Sequence, residues 1–258
     1  MEVVIFCGGT GTRLREETEF RPKPMVNIGT RPILWHIMKT YAHFGHRDFI
    51  LALGYKGEMI KNYFCHYELM NNDVTIELGK PEHVMIHQNH EETGWRITLA
   101  DTGEKALKGA RLKKVQKFIR GDTFMATYGD GLSDVNVNAL LDFHSKHGKL
   151  VTVTGVRRPP SFFGELKIEG DQVADFFEKP KLQGFINGGY FVFNRNVFNY
   201  LNDSDQCDLE YGPLEKIVKD GQLMVYKHNG FWACMDTMRD QQNLEKLWNN
   251  DKADWKLW

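Results

Sequence analysis

The 258-residue sequence has only four cysteines, Cys7, Cys65, Cys207 and Cys234, which stand far apart and form no C-x-x-C pair. That scarcity disfavours a dithiol redox motif and a cysteine zinc site, and it predicts reduced thiols in the cytoplasm. An excess of one charge is also missing. Lys+Arg 33 against Asp+Glu 34 leaves a net charge of -1, so nothing draws the chain over long range to nucleic acid or an anionic membrane. Positive charge used in function must be local. The opening apolar run, Val3 to Cys7, meets glycine too soon for a signal-peptide core, and no uninterrupted apolar segment approaches membrane-spanning length. No repeat, low-complexity tract or Pro/Gly/Ser linker divides the chain, so a single domain over 1–258 is expected.

What is present alternates. Val3-Val4-Ile5-Phe6 reads as a buried strand, and the helical spacing of Ile33, Leu34, Ile37, Met38 and Tyr41 predicts a helix that follows Pro32 and stops at Gly45. Phe49 to Leu53 is a second strand, followed by a helix from Lys56 to about Leu69. Phe124 to Tyr128 and Leu150 to Val156 are further strands with a helix, Val137 to His147, between them. Phe163 to Ile168 and Gln172 to Phe177 read as a hairpin, Gly188 to Phe193 as a buried strand, and Arg239 to Trp248 as a last helix. This order predicts an α/β fold: a Rossmann-like mixed, mainly parallel sheet flanked by helices, with a small β-rich lid region. The irregular stretch from Asp73 to Ala110 is expected to be that lid-like insertion.

The first strand empties into Gly8, Gly9, Thr10, Gly11 and Thr12, followed by Arg13 and Leu14. Unhindered backbone N–H groups at the carboxyl end of a parallel strand can cradle phosphate, and Arg13 adds a forked donor; a tight turn without a ligand is the plain alternative. Spacing excludes the dinucleotide fingerprint, because Leu14 stands where its third glycine belongs, and the P-loop, because no Gly-Lys-Ser/Thr follows. Lys23 lies between Pro22 and Pro24, whose fixed φ angles could hold its ammonium toward the same phosphates. Asp130 follows a buried strand between Gly129 and Gly131 and is a candidate ligand for magnesium, which typically takes one or two protein carboxylates. Alone it could equally be a turn residue.

G-G-T-G-T-R-L followed by R-P-K-P-M resembles the signature of the sugar-phosphate nucleotidyltransferases. The segments W-H-I-M-K, G-Y-K-G, T-Y-G-D-G, E-K-P, I-N-G-G-Y-F-V and W-x-x-M-D-T are similar to the glucose-1-phosphate cytidylyltransferase branch, over essentially the whole chain. The resemblance implies a Mg²⁺-dependent transferase joining a nucleoside triphosphate, CTP, to a sugar 1-phosphate, glucose 1-phosphate. The products would be pyrophosphate and CDP-glucose for deoxysugar and O-antigen-type polysaccharide biosynthesis. It also implies a nucleotide-binding half over about 1–150 and a sugar-phosphate-binding half over 151–258. Arg13 and Lys23 would be catalytic. Gly8 to Thr12, Gly129 and Arg111, just before a second nucleotide-binding helix, would hold the nucleotide. Asp236 would join Asp130 on the metal, while Glu178, Lys179, Asn187 and Gly188 would hold the sugar phosphate, with Gly164-Glu165 nearby. Ala110, Lys114 and Asn27 depart from the commoner pattern, which leaves the base and sugar open: UTP, dTTP or GTP, or a heptose phosphate, would suit the same chemistry. A catalytically silent sugar-nucleotide sensor should lack one of Arg13, Lys23, Asp130 or Asp236, and all four are present.

His83, His87 and His90 sit at helical spacing in a segment without a helical pattern, so they read as polar surface rather than a metal site. Trp248, Trp255 and Trp258 predict a C-terminal tail packed on the body or on a neighbouring subunit, and with it a homo-oligomer.

Overall fold

The computed structural model describes residues 1–80, 83–87, 90–157, 165–169, 171–177 and 184–258. Its centre is a seven-stranded sheet made of β1 (Glu2–Cys7), β2 (Asp48–Leu53), β3 (Arg96–Asp101), β4 (Thr123–Tyr128), β5 (Val151–Arg157), β6 (Phe185–Asn194) and β7 (Leu223–His228), in the order β7-β5-β6-β4-β1-β2-β3. All neighbouring pairs are parallel except the two made by β6. Every strand of the sheet but β6 therefore delivers its carboxyl end to one edge, where open α/β sheets bind ligands.

Alternate residues of β1 feed two cores. Val3, Ile5 and Cys7 pack with helix α1 (Ile33–His43), while Val4 and Phe6 pack with Ala110, Leu112 and Val115 of α3 (Lys108–Val115), which follows α2 (Gly57–Cys65). With both faces covered, β1 is apolar from Val3 to Cys7, as a central parallel strand must be. α1 is buried almost all round because α5 (Met238–Asn249) and the tail beyond it cover its outer side; α4 (Val137–His147) joins the same core. Trp248, Trp255 and Trp258 ring the buried His36 of α1, at centroid distances of 4.7, 6.2 and 6.3 Å. The tail thus packs on its own body.

Several expectations are corrected. Arg96–Asp101 is not lid but the edge strand of the main sheet, its register locked to β2 from Asp48↔Arg96 to Leu53↔Asp101. The insertion proper is the hairpin Asp73–Ile76 with Val84–His87. The helix expected from Lys56 is broken into Gly57–Cys65 and Tyr67–Asn71. Arg111 lies inside α3, not before it. β7 was not anticipated: its exposed, polar-interrupted sequence LMVYKH has no buried-strand pattern.

Candidate active site

Two chain reversals at the carboxyl edge build a cavity of about 560 Å³. The first follows β1. Gly11 turns the chain in the left-handed region (φ +63), where a side chain would be strained and would also strike Thr18. Leu14, fully buried, pins the short 3-10 turn Thr12–Leu14, and the Thr18 hydroxyl donates to the carbonyls of Gly11 and Leu14, both at 3.1 Å. Gly8, Gly9, Gly11, Thr12 and Arg13 line the cavity; Thr10 does not. Pro22 holds extended backbone ahead of the turn Lys23–Met25 and Pro24 is buried, so the lysine side chain is aimed inward.

The second reversal follows β4. Gly129 and Asp130 lead into a short ladder in which Gly131–Ser133 pairs with Trp232–Cys234, and the Met235 N–H donates to the Asp130 carbonyl at 2.9 Å. That bond brings Asp130 beside Asp236, which stands just ahead of α5. There Thr237 and Asp240 form a reciprocal capping box, so the helix end is already satisfied and the Asp236 carboxylate is free to face the cavity.

The side chains converge on Lys23. Its Nζ lies 2.6 Å from Asp130 Oδ2 and 2.6 Å from Asp236 Oδ1, and Arg13 Nη2 reaches Asp236 Oδ1 at 3.0 Å. Burial favours the neutral amine, but the two carboxylates outweigh it and raise the Lys23 pKa above its usual value. Burial likewise works against the Asp236 carboxylate, yet its bonds to Lys23, the nearby Arg13 and the Cys234 thiol hold its pKa below the usual range. The two carboxylates thus close on one cation. Asp130, Asp236 and Cys234 offer ligand atoms all within 4.8 Å of one another. Two carboxylates already closing on an ammonium suit a divalent cation bound together with phosphate oxygens.

Arg111 also lines the cavity, but it is not a free phosphate donor. Only 4% exposed, it donates to the carbonyls of Leu53, Gly8, Gly103 and Glu104 and to the Thr102 hydroxyl. It ties the ends of β1, β2 and β3 together, and a Cβ at Gly8 would collide with its guanidinium. On the opposite wall, Asn187 is committed twice: its Oδ1 accepts from the Gly189 N–H at 2.8 Å and its Nδ2 donates to the Tyr128 hydroxyl at 2.9 Å. Gly188 does not line the cavity; its carbonyl accepts from the Trp232 indole, which does. Tyr128 donates to Glu210 Oε1 at 2.5 Å, and Lys108 pairs with the same carboxylate. Burial, then the Glu210 charge, pushes the Tyr128 pKa up. Glu178, Lys179 and Gly164 lie outside the described residues.

Ala106, Leu107, Lys108, Tyr128, Trp232 and Cys234 are lining residues that sequence reasoning did not single out. For Cys234 a signal existed: it stands two residues before Asp236 beside a short strand, hence on the same side. His83 and His87 are occupied separately, by Glu77 and Thr75, and His90 by Glu68 and Glu92; among the described residues they form no metal cluster.

A sequence profile described as Nucleotidyl transferase matches residues 2–240. The chain belongs to the nucleotidyl transferase family. This nucleotidyltransferase is 47% identical to the glucose-1-phosphate cytidylyltransferase of Salmonella typhi over 260 aligned residues, with all of each chain covered. It is 43% identical over 258 residues to a probable glucose-1-phosphate cytidylyltransferase of Bacillus subtilis (strain 168), again over the whole of both. Among solved structures, a putative glucose-1-phosphate thymidylyltransferase from Bacillus anthracis superposes with TM-score 0.70 at 19% identity, covering 97% of this chain and 96% of that one. The inositol-1-phosphate CTP transferase from T. maritima superposes with TM-score 0.66 at 16% identity, covering 100% and 97%. These two establish the nucleotidyltransferase fold. Among the described residues, no helix is long and apolar enough to cross a membrane.

Proposed function

We propose that this nucleotidyltransferase transfers the cytidylyl group of CTP to glucose 1-phosphate, giving CDP-glucose and pyrophosphate. The observation that carries the reading is the convergence, on one cavity, of the glycine turn, Arg13, Lys23 and two acids, with Asp236 reaching Lys23 across 213 residues of chain. The full-length likeness to curated glucose-1-phosphate cytidylyltransferases supports the choice of substrates.

A sugar-phosphate oxygen attacks the α-phosphorus in line, forming a new P–O bond as the bond to the β-phosphate oxygen breaks and pyrophosphate leaves. The nucleophile is already an anion, so the chain needs no general base; it must orient two mutually repelling anions and absorb charge on the leaving group. The backbone of Gly8 to Thr12, with Gly129, holds the triphosphate. Arg13 and Lys23, now paired with acids, turn to its oxygens. Asp130 and Asp236 hold Mg²⁺, which when bound neutralises phosphate charge and polarises the phosphoryl oxygens. Lys179 meets the incoming phosphate and Glu178 the sugar hydroxyls, while Asn187, oriented by Tyr128, shapes the sugar side. Arg111 keeps the glycine turn in place. In this reading 1–150 holds the nucleotide and 151–258 the sugar phosphate, and the protein works in the cytoplasm as a homo-oligomer.

The test is to incubate the protein and Mg²⁺ with each of CTP, UTP, dTTP and GTP against glucose 1-phosphate and a heptose 1-phosphate, following pyrophosphate release. CTP with glucose 1-phosphate should be fastest. A faster different pair would reassign the substrates, and silence with every pair despite nucleotide binding would favour a sugar-nucleotide sensor.

A further inference from the structure

The wall of the cavity that carries Asn187 is tied together by a residue that does not line it. Glu210 Oε1 accepts from the Tyr128 hydroxyl at 2.5 Å and pairs with Lys108, while the same hydroxyl accepts from Asn187 Nδ2 at 2.9 Å. Lys108, Tyr128 and Asn187 all line the cavity, and each comes from a different element: the first residue of α3, the last of β4 and the third of β6. The Lys108 ammonium also sits over the Tyr128 ring, 4.7 Å from its centroid.

The order of donors settles the amide. A carboxylate oxygen only accepts, so the single Tyr128 proton goes to Glu210 and the phenol is left to accept from Asn187. That points the Asn187 nitrogen at Tyr128 and its oxygen at the Gly189 N–H, and leaves one amide N–H for a ligand. Glu210 is itself fixed by the chain around it. Leu209 is fully buried, the Glu210 N–H donates to Asp208 Oδ1 at 3.0 Å, and the Leu107 and Ala110 N–H groups donate to the carbonyls of Asp205 and Cys207 at 2.8 and 2.9 Å. Gly109 permits that approach, since a Cβ there would stand 2.8 Å from the carbonyls of Cys207 and Asp208. The carboxylate gives the fold little in return: Glu210 Oε2 is buried with no hydrogen-bond partner among the described residues, and the Lys108 side chain is 39% exposed.

We propose that Glu210 is a positioning residue of the transfer reaction: by fixing the Tyr128 proton, with Lys108 drawn to the same oxygen, it sets the Asn187 amide in the orientation that receives the sugar. The inference rests on the reading of Asn187 as a sugar contact. Glu210 touches neither substrate and acts through Tyr128.

The test is steady-state kinetics with the fastest substrate pair of the panel above, on the wild type, Glu210→Leu, Glu210→Gln, Tyr128→Phe and the double variant Glu210→Leu/Tyr128→Phe, with melting temperatures alongside. Glu210→Leu fills similar space without an acceptor and should raise KM for the sugar 1-phosphate about tenfold, with KM for the nucleotide changed less than about twofold. Tyr128→Phe should do the same, and the double variant should exceed the poorer single by no more than about twofold, because both remove one relay. Glu210→Gln keeps an acceptor for the phenol and should recover most of the loss. Melting temperatures within about 3 °C of the wild type would separate positioning from folding. An unchanged sugar KM in Glu210→Leu would overturn the inference, as would equal rises in both KM values, additive losses in the double variant, or a Glu210→Leu protein that does not fold. In each of those cases an active wild type leaves the proposed reaction standing, whereas a wild type silent with every pair would overturn the two together.

Discussion

Lys23 Nζ lies 2.6 Å from Asp236 Oδ1, a contact between the turn Lys23–Met25 and the residue just ahead of the capped start of α5, and Asp130 closes on the same ammonium. The lysine therefore serves as counter-ion to two acids as well as partner to phosphate. Lys23→Met should leave two half-buried carboxylates facing each other without the ammonium between them, with only the exposed Arg13 beside Asp236. Stability at pH 7 in the absence of divalent ions should fall by about 2 kcal/mol, since like charges at short range resist joint ionisation. Mg²⁺ should restore much of it. Thermal unfolding with and without Mg²⁺ checks this, and a variant indifferent to the ion would contradict it. kcat/KM should also fall by roughly two or more powers of ten.

Arg13 presents the reverse case. Its side chain is 72% exposed and its ion pair with Asp236 is open to solvent on the arginine side, so little stability depends on it. Arg13→Ala should change unfolding free energy by less than about 0.5 kcal/mol while lowering turnover by roughly two or more powers of ten. Denaturant curves beside steady-state kinetics decide the matter. Near-normal turnover at saturating substrate would remove Arg13 from the reaction.

The contrast between these two residues shows what was legible in the sequence. Strands such as Val3 to Phe6 announce themselves because burial on both faces demands an unbroken apolar run, and the helix expected from Val137 to His147 has those bounds in α4. The glycine turn and its Arg13 follow locally from the chain. Long-range pairing does not: nothing in W-A-C-M-D-T says that Thr237 and Asp240 will take the cap and leave Asp236 for Lys23. Edge strands were hard for a related reason. β3 and β7 meet solvent on one side, so their sequences mix charge with apolar residues and resemble loop or lid. Arg111 was visible as a residue but not in its role, because a guanidinium that grips carbonyls and one that grips phosphate look alike in sequence.

Its role is open to direct test. The Arg111 guanidinium joins Gly8, Leu53 and the loop from Thr102 to Glu104 from within α3. Truncation strands several buried oxygens at once. Arg111→Ala should cost roughly 3 to 5 kcal/mol of stability, and Arg111→Lys should recover only a small part, since a point ammonium cannot span the fork of acceptors. Urea titration measures both. If Arg111→Ala folded with wild-type stability and lost only nucleotide affinity, the residue would be a phosphate ligand after all.

His36 gives the fold a pH dependence away from the cavity. Nε2 donates to the Ile28 carbonyl at 2.9 Å, and Nδ1 accepts from the Trp255 indole at 3.4 Å, so the neutral ring has both nitrogens satisfied. A proton on Nδ1 would set two donors against each other inside a cage of tryptophans. Burial, with Arg31 and Lys256 nearby, lowers its pKa from 6.5 to about 4. A depressed folded-state pKa means that the unfolded chain takes up the proton first, so this contribution is complete above pH 6.5 and is lost as the pH falls toward 4. The loss should be on the order of 3 kcal/mol between pH 7 and pH 4. His144, also lowered to about 4 by burial, adds a loss of the same sign. Urea unfolding followed by tryptophan fluorescence should therefore show midpoints falling steeply below pH 6.5, and His36→Gln, though less stable at pH 7, should show a shallower fall. Equal slopes for the two proteins would mean that the tail releases His36 before the domain unfolds.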